Sequence, residues 1–397
     1  MIQRPSFTDQ LADVFAQFKK MRETQPVCYD EATSSWHLFG YDEVLRVLTD
    51  STHFSAGGAD SAALLGSFHL IALDASRHEL VRRVVGLALT PRAINQLAPH
   101  IKERMRALLD QVHPGGSIDV IGDLAVPLSL SVLAELLNIP TAHQQAFQQW
   151  TLALAASPVS LSAGTFPHVE QRAQVDLAVQ ELEAFFMRLL ELRRLSPQQD
   201  LVSQFLAAEI DGGHLSEREI VACCRLLLAG QQTLTNLLGN AMFCLLEHPE
   251  VIERLRHVPA PMYSTIDEVL RYLPPIWMVR RMTTSEVMLG SQHIPAQARV
   301  CAWLVSANRD VRHFADPERF EIDRIPNRHL SFSDDGTHSC LGAGLARLTA
   351  RIALSLLIQH PGDPQPRTEL AFEVIEHPLL FGVKHLPITL TPSPPLT

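Results

Sequence analysis

The sequence predicts a mostly α-helical protein with a small β subdomain. Three observations lead there. Apolar residues recur at three- and four-residue spacing over 94–112, 128–137, 169–192 and 217–247. Strand signals are confined to 36–39, ahead of the turn Gly40-Tyr41-Asp42, to 286–289 with 293–304, and to 374–390. Those β-rich pieces, near 30–60, 275–305 and 370–395, are far apart in sequence, so the subdomain has to be assembled from distant segments.

The chain has 397 residues, 46% hydrophobic and 19% charged, which is enough to bury a large core and too apolar for disorder. With no repeat and no low-complexity linker it reads as one domain over 1–397, with the tail TPSPPLT frayed. A formal net charge of −10 and 6% aromatic residues exclude a nucleic-acid partner bound through overall positive charge or base stacking. Six scattered cysteines with no CxxC pair exclude a zinc ribbon, a redox dithiol and a disulfide scaffold, and point to a reducing cytoplasm. The first twenty residues carry acids and amides where a signal peptide would be apolar. The most apolar stretch, 118–139, is interrupted by Asp119, Asp123, Pro127 and Glu135, so no membrane span and no membrane partner is expected. A soluble, cytoplasmic protein follows.

The richest segment is Phe332-Ser-Asp-Asp-Gly336-Thr-His338-Ser-Cys340-Leu341-Gly342, with a helical run at 345–358 behind it. A cysteine at a helix N-terminus meets unpaired N–H groups that favour a thiolate, and the flanking glycines admit a flat ligand close to the backbone. A thiolate there suits a soft metal such as haem iron; a buried structural cysteine is the plainer alternative.

From about Trp36 to the C-terminus the chain resembles the bacterial cytochrome P450 family of haem-thiolate monooxygenases. Gly336, His338, Cys340, Leu341 and Gly342 match the haem-binding loop; Glu268 and Arg271 match the ExxR pair; Pro317-Glu318-Arg319-Phe320 matches the segment supplying a second arginine. Ala229-Gly230-Gln231-Gln232-Thr233 matches the oxygen-binding stretch of the central helix, and His78 with Arg82 matches the HxxxR of a haem-contacting helix. Five such motifs in order are specific where each alone is weak. The resemblance implies a prism-like fold with the haem between the long central helix and the cysteine loop. It implies haem b as cofactor, Cys340 as iron ligand, O2 as co-substrate, and propionates held by His78, Arg82, Arg281 and His338. Which of Arg280 and Arg281 turns inward stays open, the pair preceding a strand. It also implies that Glu268, Arg271 and Arg319 form a buried network bracing the cysteine loop.

On the central helix, Gly230 costs about 1 kcal/mol relative to Ala. Either it allows close helix packing or, with Ala229, it keeps the wall over the iron low. Thr233 can bond the carbonyl four residues back and open the helix for a proton relay. Two departures from the family pattern stand out. Gln232 replaces the usual acid and cannot carry a proton at neutral pH. Phe332 lies eight residues before Cys340 instead of seven, which predicts a bulged loop with Ser333 and Asp334 where Phe and Gly are usual.

The resemblance places the substrate against Leu64, Leu65 and Phe68, Leu226 with Ala229 and Thr233, Ile276, Trp277, Met278 and Val279, and Leu379, Leu380 and Phe381. None is charged, so the expected substrate is a hydrophobic small molecule such as a terpenoid, fatty acid or steroid-like compound. Residues 74–106 carry a net +4, a surface suited to an acidic ferredoxin. No flavin or nicotinamide fingerprint is present, so a separate ferredoxin and ferredoxin reductase are expected to supply electrons. The alternatives are a peroxide-driven or rearranging haem-thiolate enzyme, which Gln232 suggests, and a non-catalytic haem sensor or recruitment module.

Overall fold

The computed structural model describes residues 7–56, 75–113, 116–155, 169–209, 212–333, 336–366, 373–375 and 379–392. Its first part runs α1 (Phe7–Thr24), β1 (Val27–Asp30), β2 (Ser35–Leu38), α2 (Tyr41–Thr49), β3 (Phe54–Ser55), α3 (Ala75–Ala88), α4 (Pro91–Gln96), α5 (Ala98–Leu109) and β4 (Ser117–Asp119). A π-helical turn, Val120–Ala125, leads into α6 (Val126–Leu136), followed by α7 (Gln144–Ala155), α8 (Val169–Leu195), α9 (Leu201–Ala207) and α10 (Glu217–Leu246). Then come α11 (Pro249–His257), α12 (Met262–Tyr272), β5 (Met278–Thr283), β6 (Val287–Leu289), β7 (Gln292–Ile294), β8 (Arg299–Trp303) and α13 (Leu304–Ala307). The chain closes with α14 (Ala343–Ile358), β9 (Gly362–Pro366) and β10 (Pro387–Pro392).

The helical majority and the composite β region are as the sequence predicts. β1, β2 and β3 join β5 and β8 in one five-stranded sheet, ordered β1-β2-β8-β5-β3. The β2–β8 pair is parallel, with Leu38 opposite Ala302. β10 lies between β4 and β9 in a second sheet. The largest core cluster gathers around α10, and a second one fills the space between the five-stranded sheet and α2.

Several boundaries differ from expectation for local reasons. The run 94–112 divides at Leu97, because Pro99 cannot donate to the preceding turn and restarts the helix. The strand expected over 293–304 breaks after Ile294, where Pro295 and a left-handed Gln297 (φ 59°) turn the chain. Arg281, expected just before a strand, lies inside β5. Of 374–390, the described part pairs as a Val374–Val383 bridge, an Ile276–Leu380 bridge and the start of β10. β4 and β9 give no sequence signal; β9 reads Gly-Asp-Pro-Gln-Pro, without apolar alternation. The tail 393–397 lies outside the described residues.

The 30-residue α10 starts on a reciprocal capping box between Ser216 and Glu219, which satisfies its first donors. Its close approach to the π-helical turn requires Gly239: a Cβ there would lie 2.4 Å from Ile121 Cδ1.

Candidate active site

The loop before α14 carries the one exposed cysteine of the six. Burial pushes the Cys223 thiol up to about 12 and Cys224 and Cys244 well above their ordinary value, so those three are inert. Cys340 precedes the helix proper, whose N-cap is Gly342, and its carbonyl accepts from Ala343 N at 3.3 Å. Its amide donates to Phe332 O at 2.8 Å, closing a loop around 333–339. Ser333 adopts φ 52°, a left-handed turn, and its carbonyl accepts from Gly336 N at 2.9 Å. Asp334 lies outside the described residues. Gly336 has a reason the sequence did not disclose: a Cβ there would sit 2.4 Å from the Leu48 carbonyl, so the loop presses on the end of α2. Gly342 is different, with only Cys340 Sγ, at 3.9 Å, near where its Cβ would be.

Glu268 and Arg271 on α12 are both fully buried. Their three-residue spacing allows a two-pronged pair, with Arg271 Nε and Nη2 each donating to a Glu268 oxygen at 2.8 Å. The remaining Arg271 donors reach the carbonyls of Asn308 (3.0 Å), Pro317 (2.8 Å) and Arg319 (3.0 Å), so all five N–H groups are satisfied. The expected side-chain role of Arg319 is corrected here. Arg319 contributes its carbonyl, while its side chain is 72% exposed beside Glu321. The second arginine is Arg324, whose side chain is 8% exposed and whose Nε lies 3.3 Å from Glu268. Asn308 carries the brace onward: its Oδ1 accepts from Leu330 N at 2.7 Å and its Nδ2 donates to Ser331 Oγ at 2.9 Å, immediately ahead of Phe332. Sequence reasoning missed Arg324 and Asn308, since neither belongs to a spaced motif.

His78, Arg82, Arg281 and His338 come together. The rings of His78 and His338 are 4.2 Å apart. Arg82 on α3 holds the residue before the cysteine, donating to Ser339 O at 2.7 Å and Ser339 Oγ at 2.9 Å. The Arg280/Arg281 choice is resolved by strand alternation: Arg280 faces the side of β5 that carries Cys301, and Arg281 faces His338 and His78. Burial pulls Arg281 down to about 10, and among the described residues no carboxylate pairs with it. Burial, then Arg281, His78 and Arg82, push His338 down to about 3, so it is neutral at physiological pH. A half-buried group of two arginines and two neutral histidines, with no acid among the described residues, suits an anionic ligand.

Along α10 the stripe Leu226, Ala229, Gly230 and Thr233, at i, i+3, i+4 and i+7, stays partly open while 234–245 is buried. A Cβ at Gly230 would meet nothing within 4 Å, so this glycine borders open space; Gly239 performs the packing role. Thr233 Oγ1 donates to Gly230 O at 3.0 Å, three residues back, where the expected acceptor was the Ala229 carbonyl, and the helix continues unbroken. Gln232 Nε2 donates to Asn236 Oδ1 at 2.8 Å, so its amide is held by the helix. Gln231 bonds Ser129 Oγ (3.2 Å) and Thr235 Oγ1 (3.0 Å).

The expected substrate wall is brought together only in part. Trp277 N donates to Leu379 O and Phe381 N to Pro275 O, zipping 275–277 to 379–381. Within that zipper Met278 and Leu379 pack with Cys301, and Phe381 stacks on Trp277 at 4.5 Å; Met278, Leu379 and Phe381 are buried packing residues, while Trp277 stays half-buried. Ile276 and Val279 are half-buried, and Leu380 is buried beside Ile276. Leu64, Leu65 and Phe68 lie outside the described residues.

The cytochrome P450 family model matches residues 1–257 and 262–362. The chain belongs to the cytochrome P450 family. It is 36% identical over 373 residues to the putative cytochrome P450 YjiB of Bacillus subtilis, covering 93% of this chain and 92% of that one. To the erythromycin C-12 hydroxylase of Saccharopolyspora erythraea it is 36% identical over 385 residues, 94% of each. Among solved structures, substrate-free CYP109E1 from Bacillus megaterium superposes with a TM-score of 0.89 at 34% identity, covering 96% of this chain and 99% of that one.

The haem that a cytochrome P450 carries fits the residues present. Cys340 is exposed, Gly342 and Gly230 leave open space, and Arg281 has no acid of its own among the described residues. Cys340 would ligate the iron, and Arg281, His78 and His338 would meet the propionates. When bound, the haem supplies oxygen activation at an iron whose sulfur ligand donates electron density.

Proposed function

We propose that this cytochrome P450 inserts one oxygen atom from O2 into a hydrophobic small molecule, with electrons delivered by a separate ferredoxin and its reductase. The observation that carries the reading is the pairing of an accessible Cys340 with the cluster of Arg281, His78 and His338, which holds no acid among the described residues. The residues then divide the work. Glu268, Arg271 and Arg324 hold the cysteine loop at fixed distance from α12. Leu226, Ala229, Ile276, Val279 and Leu380 exclude water and orient an apolar substrate by packing. Thr233 offers a hydroxyl at the open face of α10, and Gln232, tied to Asn236, orients water without exchanging a proton itself.

The substrate class follows from the uncharged wall and from relatives that act on or bind bulky apolar molecules: CYP109E1 was solved with corticosterone and with testosterone. The docking reading rests on Arg83, Arg92, Lys102 and Arg106, exposed on α3, α4 and α5; the last two helices pack on α14 behind the cysteine loop. Among the described residues no helix is long and apolar enough to cross a membrane, which is compatible with a freely diffusing partner.

Purified protein supplied with haem is tested against a steroid and terpenoid panel, once with a ferredoxin system and NADH, once with hydrogen peroxide. Oxygenated product with the electron system supports the proposal. Product with peroxide alone favours a peroxide-driven enzyme, the second reading, for which the amide at Gln232 speaks. A reduced carbonyl adduct without the red-shifted thiolate band overturns both.

A further inference from the structure

A cavity of about 480 Å3 lies between α1 and the five-stranded sheet, a volume within the range of small-molecule sites. One wall is helical. Val14, Gln17, Phe18 and Met21 recur at i, i+3, i+4 and i+7 and so share the sheet-facing side of α1. The other wall is one face of β1, β2 and β8. Cys28 and Asp30 are two apart on β1, His37 is the register partner of Cys28, and Phe39 follows two residues later. The β2–β8 register then brings Phe39 beside Trp303, and the two rings lie parallel within 5° at 6.2 Å. Phe18 closes on Trp303 at 5.1 Å, and Trp277 forms the inner end, its far face stacked on Phe381.

Among the described residues Asp30 is the one carboxylate lining the cavity and no lysine or arginine lines it; Arg280 lies two strands beyond His37 on the same sheet face, and the Asp30 side chain, 39% exposed, stands at the mouth on the opposite side. Hydrogen bonds from Thr33 and Ala32 hold that carboxylate below its usual range, so it is charged at neutral pH. Burial lowers His37, which stays neutral there. Aromatic faces beneath a single anionic group attract a cation through ring quadrupoles and direct charge together.

We infer that this cavity is a second small-molecule site, distinct from the haem site, and that it takes a flat apolar body carrying one ammonium group, the body among Phe18, Phe39, Trp277 and Trp303 and the cation toward Asp30. None of its lining residues belongs to the cysteine loop, to the Glu268 network or to the open stripe of α10.

The test is equilibrium dialysis of the haem-loaded protein with trimethyl(2-naphthylmethyl)ammonium, which has no lone pair for iron, against 2-ethylnaphthalene and 2-naphthylacetate. One equivalent of the cation is expected to bind, about fivefold or more tighter than the carboxylate, without a shift of the haem absorbance band. Met21→Trp fills the space and is expected to weaken cation binding by about tenfold with the haem spectrum unchanged. Asp30→Asn, a mild surface change, is expected to bring the cation and its neutral analogue to within about twofold. Absence of cation binding, undiminished binding by Met21→Trp, unchanged selectivity in Asp30→Asn, or a haem-band shift by the cation each overturns the inference.

Discussion

Arg347 of α14 lies with its guanidinium 4.6 Å over the ring of Phe332. Its Nε donates to Asp267 at 2.8 Å, and Asp267 is the neighbour of Glu268. Burial alone would raise the Asp267 carboxyl, but hydrogen bonds from His329 and Arg347 outweigh it and hold it below the usual range. Two adjacent acids of α12 therefore brace the segment leading to the cysteine, Asp267 through Arg347 and His329 and Glu268 through Arg324 and Asn327. Arg347→Ala is expected to cost about 1–2 kcal/mol and to lower the temperature at which the carbonyl band of the loaded protein decays. Arg347→Lys recovers only part, having no planar face for Phe332. A thermal scan with unchanged decay in Arg347→Ala counts against the brace.

The Glu268 network discriminates between two arginines. Arg324→Ala removes a buried partner of Glu268 and is expected to destabilise by about 2 kcal/mol. Arg319→Ala loses only an exposed side chain, since the carbonyl that Arg271 uses remains, and is expected to stay within about 0.5 kcal/mol of the parent. Urea unfolding of the two variants checks this; equal losses would mean that the Arg319 side chain matters after all.

His338 links acid stability to the anionic ligand. Its folded pKa, about 3, lies below the ordinary 6.5, so the unfolded chain binds the proton first. Stability is complete above that ordinary value and is lost as pH falls from there toward 3. An anion placed against Arg281 and the two histidines reverses the shift. The ligand-free protein is therefore expected to destabilise progressively below pH 6.5, and the haem-loaded protein less steeply. Urea midpoints at several pH values in both forms check the sign, and identical slopes would remove the histidines from the anion site.

The two glycines of α10 should respond in opposite directions. Gly239→Ala forces Ile121 to move and is expected to cost about 1–3 kcal/mol. Gly230→Ala meets no atom and is expected to stabilise the helix by up to about 1 kcal/mol, while narrowing the open stripe. Calorimetry separates them; a destabilised Gly230→Ala would show that the face is packed.

Gln232→Glu restores an ionisable group beside Thr233. The Asn236 amide can accommodate it by rotation, because Asn236 Nδ2 is buried without an acceptor among the described residues. The variant is expected to release less hydrogen peroxide per NADH consumed. Unchanged leakage would place the proton route elsewhere.

What the sequence by itself determined was the chemistry carried by short spacings. Glu268 with Arg271 and the cysteine with its glycines are local patterns, so a helix face or a loop brings their members together whatever the rest of the chain does. The long helices were equally legible, since apolar periodicity is a property of the segment. The tertiary structure alone decided which distant side chain completes each group. It chose Arg324 over Arg319 because the chain after Pro317 turns the later arginine inward. It turned Met278 and Leu379 into the packing of a sheet whose strands come from 27–55 and 278–303. It also separated a glycine that packs, Gly239, from one that leaves space, Gly230, a distinction set by what lies opposite the missing Cβ and invisible to any one-dimensional pattern.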